Sequence, residues 1–173
     1  MEKKVALIIA QNGYQHIEYG IPKRMLDEVG IAVVTVSTER GTATGNDGST
    51  TTVDETLATL TVSDYDGVFF VGGPGALEHL ENQTCYTIAQ KAVQADIPLG
   101  AICISTRILA QAGVLTNKQA TGWNGDNELG DIYRKYKVDY INQDVVVDGN
   151  IITAVGPHAA QLFGKTIIKL VQK

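Results

Sequence analysis

Four short, almost unbroken apolar runs constrain this chain more than any other feature: residues 4–10 (KVALIIA), 32–37 (AVVTVS), 67–71 (GVFFV) and 97–102 (IPLGAI). A strand with one wet face alternates polar and apolar residues. A strand covered on both faces is apolar throughout, as in a parallel sheet. Helical patterns fall between the runs. Residues 17–29 set Ile17, Ile21, Met25, Leu26 and Val29 at helical spacing, with Pro22 in the first turn, where proline is tolerated, and Gly30 as the stop. Residues 84–95 and 105–112 read as further helices, the second closed by Gly113, and 131–136 as a shorter one. Gly156-Pro157 opens a last helix that runs to Val171. Residues 145–148 and 151–154 flank Asp148-Gly149-Asn150, a strong hairpin signal. Residues 11–15 read as a loop, and the Thr/Gly/Asn/Asp-rich stretch 41–52 as a loop with short edge pairing. Asp54 reads as the N-cap of a short helix over 55–60.

This alternation predicts an α/β fold: a doubly wound, mostly parallel sheet with helices on both faces and one late antiparallel hairpin. A length of 173 residues with 44% hydrophobic residues suits a single domain over 1–173 with a full core. The net charge of −5, from 14 basic and 19 acidic residues without a basic block, argues against nucleic acid and anionic membranes as partners. The first apolar run is too short for a signal segment or a membrane span, so a cytoplasmic location is expected. Cys85 and Cys103 have no metal-ligand spacing, and a disulfide is not expected in a reducing compartment. Gly72-Gly73-Pro74-Gly75 lacks the Gly-Lys-Ser/Thr of a phosphate loop. No metal and no cofactor are therefore expected, and the partner in view is a small-molecule substrate.

In a doubly wound sheet, ligands bind outside the carboxyl ends of the strands. Cys103 stands directly after the fourth apolar run and directly before a helix. That is the position of a nucleophile elbow, and a helix N-terminus favours thiolate over thiol. The plainer alternative is a small buried hydrophobe. Cys85, inside a helix with no partner in view, is read that way. The N–H groups of Gly73 and Ile104 suit an oxyanion hole facing Cys103, Gly72-Gly73 being otherwise a plain tight turn. Glu18 opens the first helix. It is either a helix-dipole partner or a carboxyl group that shares a proton with the thiol.

Taken in order, Gly13 with Glu18 five residues on, Gly72-Gly73, Ala101-Ile102-Cys103, Gly113-Val114-Leu115, Val147-Asp148-Gly149-Asn150 and Gly156-Pro157 resemble the ThiJ/PfpI superfamily over nearly the whole chain. The resemblance implies a flavodoxin-like fold, Cys103 as nucleophile, Glu18 as its carboxylic partner, Gly73 and Ile104 as oxyanion amides, and a homodimer or higher homo-oligomer. Activities reported in that family include glyoxalase and deglycase-type hydrolysis, peptidase action, isonitrile hydration, chaperone action and oxidative-stress sensing. The chain departs from the pattern where a base is expected. Ile104 stands where peptidase-like members carry His, and Trp123, in Ala120-Thr121-Gly122-Trp123, where other members do. His158 follows Gly156-Pro157, where the family has glycine, and His16 lies close to Glu18 in sequence. Gly72, Trp123, His158 and His16 are thus candidate lining residues.

The leading expectation is a cysteine-dependent hydrolase or lyase acting on small reactive carbonyls, with Cys103 attacking and Glu18 moving the proton. A second is a non-catalytic oxidative-stress sensor or chaperone-like protein using Cys103 as a redox switch. A third, an intracellular peptidase or amidase, is disfavoured by Ile104, because an amine leaving group needs a good general acid.

Overall fold

A computed structural model describes residues 2–173. In chain order the elements are β1 (Lys4–Ile8), β2 (Asn12–Tyr14), α1 (His16–Glu28), β3 (Ala32–Ser37), β4 (Gly41–Gly45), β5 (Thr50–Val53), β6 (Glu55–Thr56), β7 (Gly67–Phe70), α2 (Ala76–Leu80) and α3 (Gln83–Gln94). They continue with β8 (Leu99–Ile102), α4 (Thr106–Gln111), β9 (Gln119–Ala120), α5 (Leu129–Lys135), β10 (Asp139–Tyr140), β11 (Val145–Asp148), β12 (Ile151–Ala154) and α6 (Ala160–Val171).

The main sheet has seven strands in the order β11-β12-β8-β7-β1-β3-β6, parallel except for the β11/β12 hairpin. The fold class is therefore the doubly wound α/β architecture that the sequence predicts. The four apolar runs form its four central strands, and the strand period of two sorts their side chains between its faces. Ala6, Ile8, Val68, Phe70, Leu99 and Ala101 pack with α3, α4 and α5, while Val5, Leu7, Ile9, Phe69 and Val71 pack with α1 and α6. Each of these side chains is shut off from solvent, which is why the runs carry no polar alternation. The chain leaves β1 toward β3 on one side and passes from β7 to β8 on the other. The carboxyl ends of β1 and β7 therefore straddle the switch point, where a crevice opens in folds of this kind.

Three expectations need correction. The helix over 55–60 does not form. Residues 55 and 56 pair with Val36 and Ser37 as a short edge strand, and the Asp54 carboxylate accepts the Thr35 N–H (2.8 Å) instead of capping a helix. The short edge pairing expected over 41–52 is an antiparallel pair, with Gly41 opposite Val53. The loop over 11–15 contains β2, which pairs with β4. Pro22 lies beyond the first turn of α1, so the Glu18 carbonyl lacks its usual i+4 donor. The hairpin prediction matches to the residue, with Asp148 opposite Ile151 and Gly149 at φ 62°. Among the described residues, no helix is long and apolar enough to cross a membrane.

Candidate active site

Three strand ends meet over the crevice. After β1, Gln15 caps α1: its Oε1 accepts the N–H of Ile17 (2.6 Å) and of Glu18 (3.4 Å). This first turn places the Glu18 side chain inward, with no exposure to solvent. After β7, Gly72 donates its N–H to Glu18 Oε2 (2.9 Å) and accepts the Gln15 N–H at its carbonyl (2.9 Å). After β8, a single 3₁₀ turn over Cys103–Ser105 leads into α4. Ser105 Oγ ties that turn back to β7 through the Val71 carbonyl (2.6 Å).

Cys103 has φ 63°, the left-handed region that costs a β-carbon about 1–2 kcal/mol. The surrounding bonds hold it there. Its carbonyl accepts from Thr106 Oγ1 (3.1 Å) and from the Trp123 N–H (3.2 Å). The side chain is 8% exposed and opens on a cavity of about 340 Å³, lined also by Gln15, Glu18, Asn46, Gly73, Pro74, Ile104, Trp123 and Pro157. Gly72 sits behind this wall, between the two reactive groups. A Cβ there would stand 2.5 Å from the Cys103 Cβ and 2.6 Å from Glu18 Oε2, so only glycine fits.

The electrostatics of the pair follow from its dryness. Burial pushes the Glu18 carboxyl up to about 7, while hydrogen bonds from the Cys103 thiol and the Gly72 amide pull it part of the way back. Burial also pushes the Cys103 thiol up. The Glu18 charge and hydrogen bond add to that, and the Ile104 and Gly73 amides pull it down. The expectation that the helix N-terminus favours thiolate over thiol is therefore not met: burial outweighs the Ile104 and Gly73 amides. Near neutral pH the two groups hold at most one negative charge between them. Glu18 Oε1 is buried with no hydrogen-bond partner among the described residues.

The family model described as DJ-1/PfpI matches residues 3–170. The chain belongs to the DJ-1/PfpI family. Deglycase PH1704 of Pyrococcus horikoshii is 29% identical over 166 residues, covering 96% of this chain and 98% of that protein. Uncharacterized protein MJ0967 of Methanocaldococcus jannaschii is 33% identical over 171 residues, covering 98% of this chain and 83% of its own length. In fold, a ThiJ/PfpI domain protein from Brachyspira murdochii superposes with a TM-score of 0.92 at 24% identity, covering 98% of this chain and 96% of its own.

Within this DJ-1/PfpI chain, the structure brings Cys103, Glu18, Gly72, Gly73, Ile104 and Trp123 together. It does not bring in His158 or His16. His158 is exposed on the 3₁₀ turn after β12, with Nε2 3.2 Å from Asp144 Oδ1, and its neighbour Pro157 lines the cavity instead. His16 turns its Nδ1 to Asn46 Oδ1 (2.8 Å) and is not among the residues that line the cavity. Both histidines follow strand ends, but distance along the chain does not give the direction of a side chain. Among the described residues, no three His, Cys, Asp or Glu side chains gather as metal ligands.

Gln15, Asn46 and Arg107 are site residues that sequence reasoning missed. Gln15 had a signal, as a polar residue directly before the first helix. Asn46 had none, because the Asn46 N–H to Tyr14 carbonyl bond (2.8 Å) that seats it joins distant segments. Arg107 is buried, bonds Asp126 Oδ1 (2.8 Å) and lies 5.5 Å over the Trp123 ring, holding the indole against the cavity. Gly125 leaves room for that ring, since a Cβ there would meet it at 2.5 Å.

Cys85 lies wholly within the core on the α3 side of the sheet, and burial pushes its thiol up to about 12. Iodoacetamide at about pH 8 should label Cys103 at least about a hundredfold faster than Cys85 in the native protein. Peptide mapping of the alkylated chain gives the ratio. Comparable labelling of both would remove the distinction between a site thiol and a core thiol.

Proposed function

We propose that this protein is a cysteine-dependent enzyme acting on small reactive carbonyls, of glyoxalase or deglycase type. Cys103 is the nucleophile and Glu18 its proton partner. One observation carries the reading: a buried carboxyl group held near neutral pKa beside a strained, cavity-facing thiol, with Gly72 keeping the two in contact. The name deglycase borne by relatives of 28–29% identity supports the same class.

A group with a pKa of about 7 exchanges protons readily in both directions at neutral pH. With an α-oxoaldehyde, Glu18 takes the thiol proton as sulfur adds to the aldehyde carbon. The S–C bond forms, and the carbonyl π pair moves onto oxygen, beside the Gly73 and Ile104 amides. Glu18 protonates that oxygen, then removes the hydrogen of the attacked carbon as a proton and returns one to the neighbouring carbon, while the new hydroxyl proton passes to the neighbouring oxygen and the attacked carbon regains its C=O. The product is the thioester of a 2-hydroxy acid. Water displaces the sulfur, so the net change is the addition of water with no external oxidant. No histidine lines the cavity among the described residues, which weighs against peptide hydrolysis.

Purified protein should consume methylglyoxal and release lactate. Cys103→Ala should lower the rate by about a thousandfold or to background. Equal turnover by the two forms would dismiss Cys103 as nucleophile.

A further inference from the structure

Two carboxamides line the cavity beside Cys103, and the orientation of each is fixed. Gln15 Oε1 accepts two main-chain N–H groups, those of Ile17 (2.6 Å) and Glu18 (3.4 Å). Asn46 Oδ1 accepts the main-chain N–H of His16 (3.1 Å) and lies 2.8 Å from His16 Nδ1, which must then carry its proton. A main-chain N–H only donates, so these contacts identify the oxygen end of each amide. Both oxygens are committed. Neither NH₂ group has a hydrogen bond to any described residue, and both residues line the cavity. The remaining wall is formed by Glu18, Gly73, Pro74, Ile104, Trp123 and Pro157 and contains no cationic side chain.

We propose that Gln15 and Asn46 form a donor pair that holds a second acceptor oxygen of the substrate, adjacent to the carbonyl that Cys103 attacks. They thereby select an uncharged vicinal dicarbonyl over a simple aldehyde or a 2-oxo acid. The proposal rests on Cys103 as the nucleophile. A simple aldehyde leaves the donors unanswered. A 2-oxo acid answers them but brings a fixed negative charge toward a buried Glu18–Cys103 pair that itself shares up to one, and no lysine or arginine is among the lining residues to offset it.

Asn46→Asp and Gln15→Glu keep the acceptor oxygens that bond the start of α1 and remove the NH₂ donors. Protection of Cys103 from iodoacetamide, read by mass spectrometry, gives a half-protecting concentration for methylglyoxal, propanal and glyoxylate in each form. Melting temperatures check that the variants fold, and Asn46→Asp, which leaves the α1 cap intact, carries the test if Gln15→Glu does not fold. Each substitution should weaken methylglyoxal about tenfold more than propanal, the scale of one lost hydrogen bond. Any effect on the thiol itself acts on both probes and cancels in that ratio. Equal weakening of the two probes, or none, would overturn the donor pair while leaving Cys103 as nucleophile. Protection of the wild type by glyoxylate as effective as by methylglyoxal would overturn the preference for uncharged substrates. If neither methylglyoxal nor propanal protects the wild type, the nucleophile reading fails, and the donor pair with it.

Discussion

Gly72→Ala should destabilise the protein by about 3 kcal/mol, the upper range for forcing a methyl group into a filled interior, and should disable Cys103 as well. The new Cβ would stand 2.5 Å from the Cys103 Cβ, 2.6 Å from Glu18 Oε2 and 2.9 Å from the Ile102 carbonyl. None of the three is the free end of a flexible chain. Glu18 is anchored by the Gly72 N–H, Cys103 by its bonded carbonyl, and Ile102 by the pairing of β8. Relief requires the β7 turn to move away from β8, which separates carboxyl group from thiol. Urea denaturation and iodoacetamide kinetics on the same preparation test both halves. A variant with native stability and native Cys103 reactivity would mean that the crevice has slack which the packing denies.

Wild-type stability should fall by about 3 kcal/mol between about pH 4.5 and pH 7, a loss that Glu18→Gln should largely remove. In the unfolded chain Glu18 titrates near 4.5, whereas in the fold burial holds its proton until about 7. Below 4.5 both states are protonated and the stabilising contribution is complete. Between the two values the unfolded state releases its proton first, so the folded state loses ground as pH rises, and above 7 the loss levels off. Glutamine cannot ionise, so its profile should be flatter across this window. Urea midpoints for both forms at about pH 4, 6 and 8 give the comparison. Parallel profiles would show that a charged Glu18 is tolerated without cost and would remove the basis for a shared proton.

The elements legible in the sequence were those fixed by burial on both faces. Residues 5–10 and 68–71 announce central strands because every side chain in them meets a packed layer. Asp148-Gly149-Asn150 announces its hairpin because the turn is local. Residues 55–60 misled because their short apolar spacing imitates a helix, while pairing with Val36 and Ser37 across the sheet edge decides the outcome. The same contrast divides the site. Cys103, Glu18, Gly73 and Ile104 follow strand ends, and topology carries the carboxyl ends of the parallel strands to one rim. Asn46 reaches that rim through a bond to Tyr14 thirty-two residues earlier in the chain, which no local pattern encodes. His16 and His158 satisfy the strand-end rule and still face Asn46 and Asp144, because neighbouring polar groups claim their rings.

Trp123 is the one tryptophan in the chain, and it stands at the cavity wall under the Arg107 guanidinium, with its main-chain N–H bonded to the Cys103 carbonyl. Selectively excited indole emission from this protein therefore originates beside the Cys103 thiol and nowhere else. Its colour follows the wetness of that wall, and its intensity follows whatever comes to rest against the ring. The molecule carries its own optical probe of occupancy, with no dye, label or substitution.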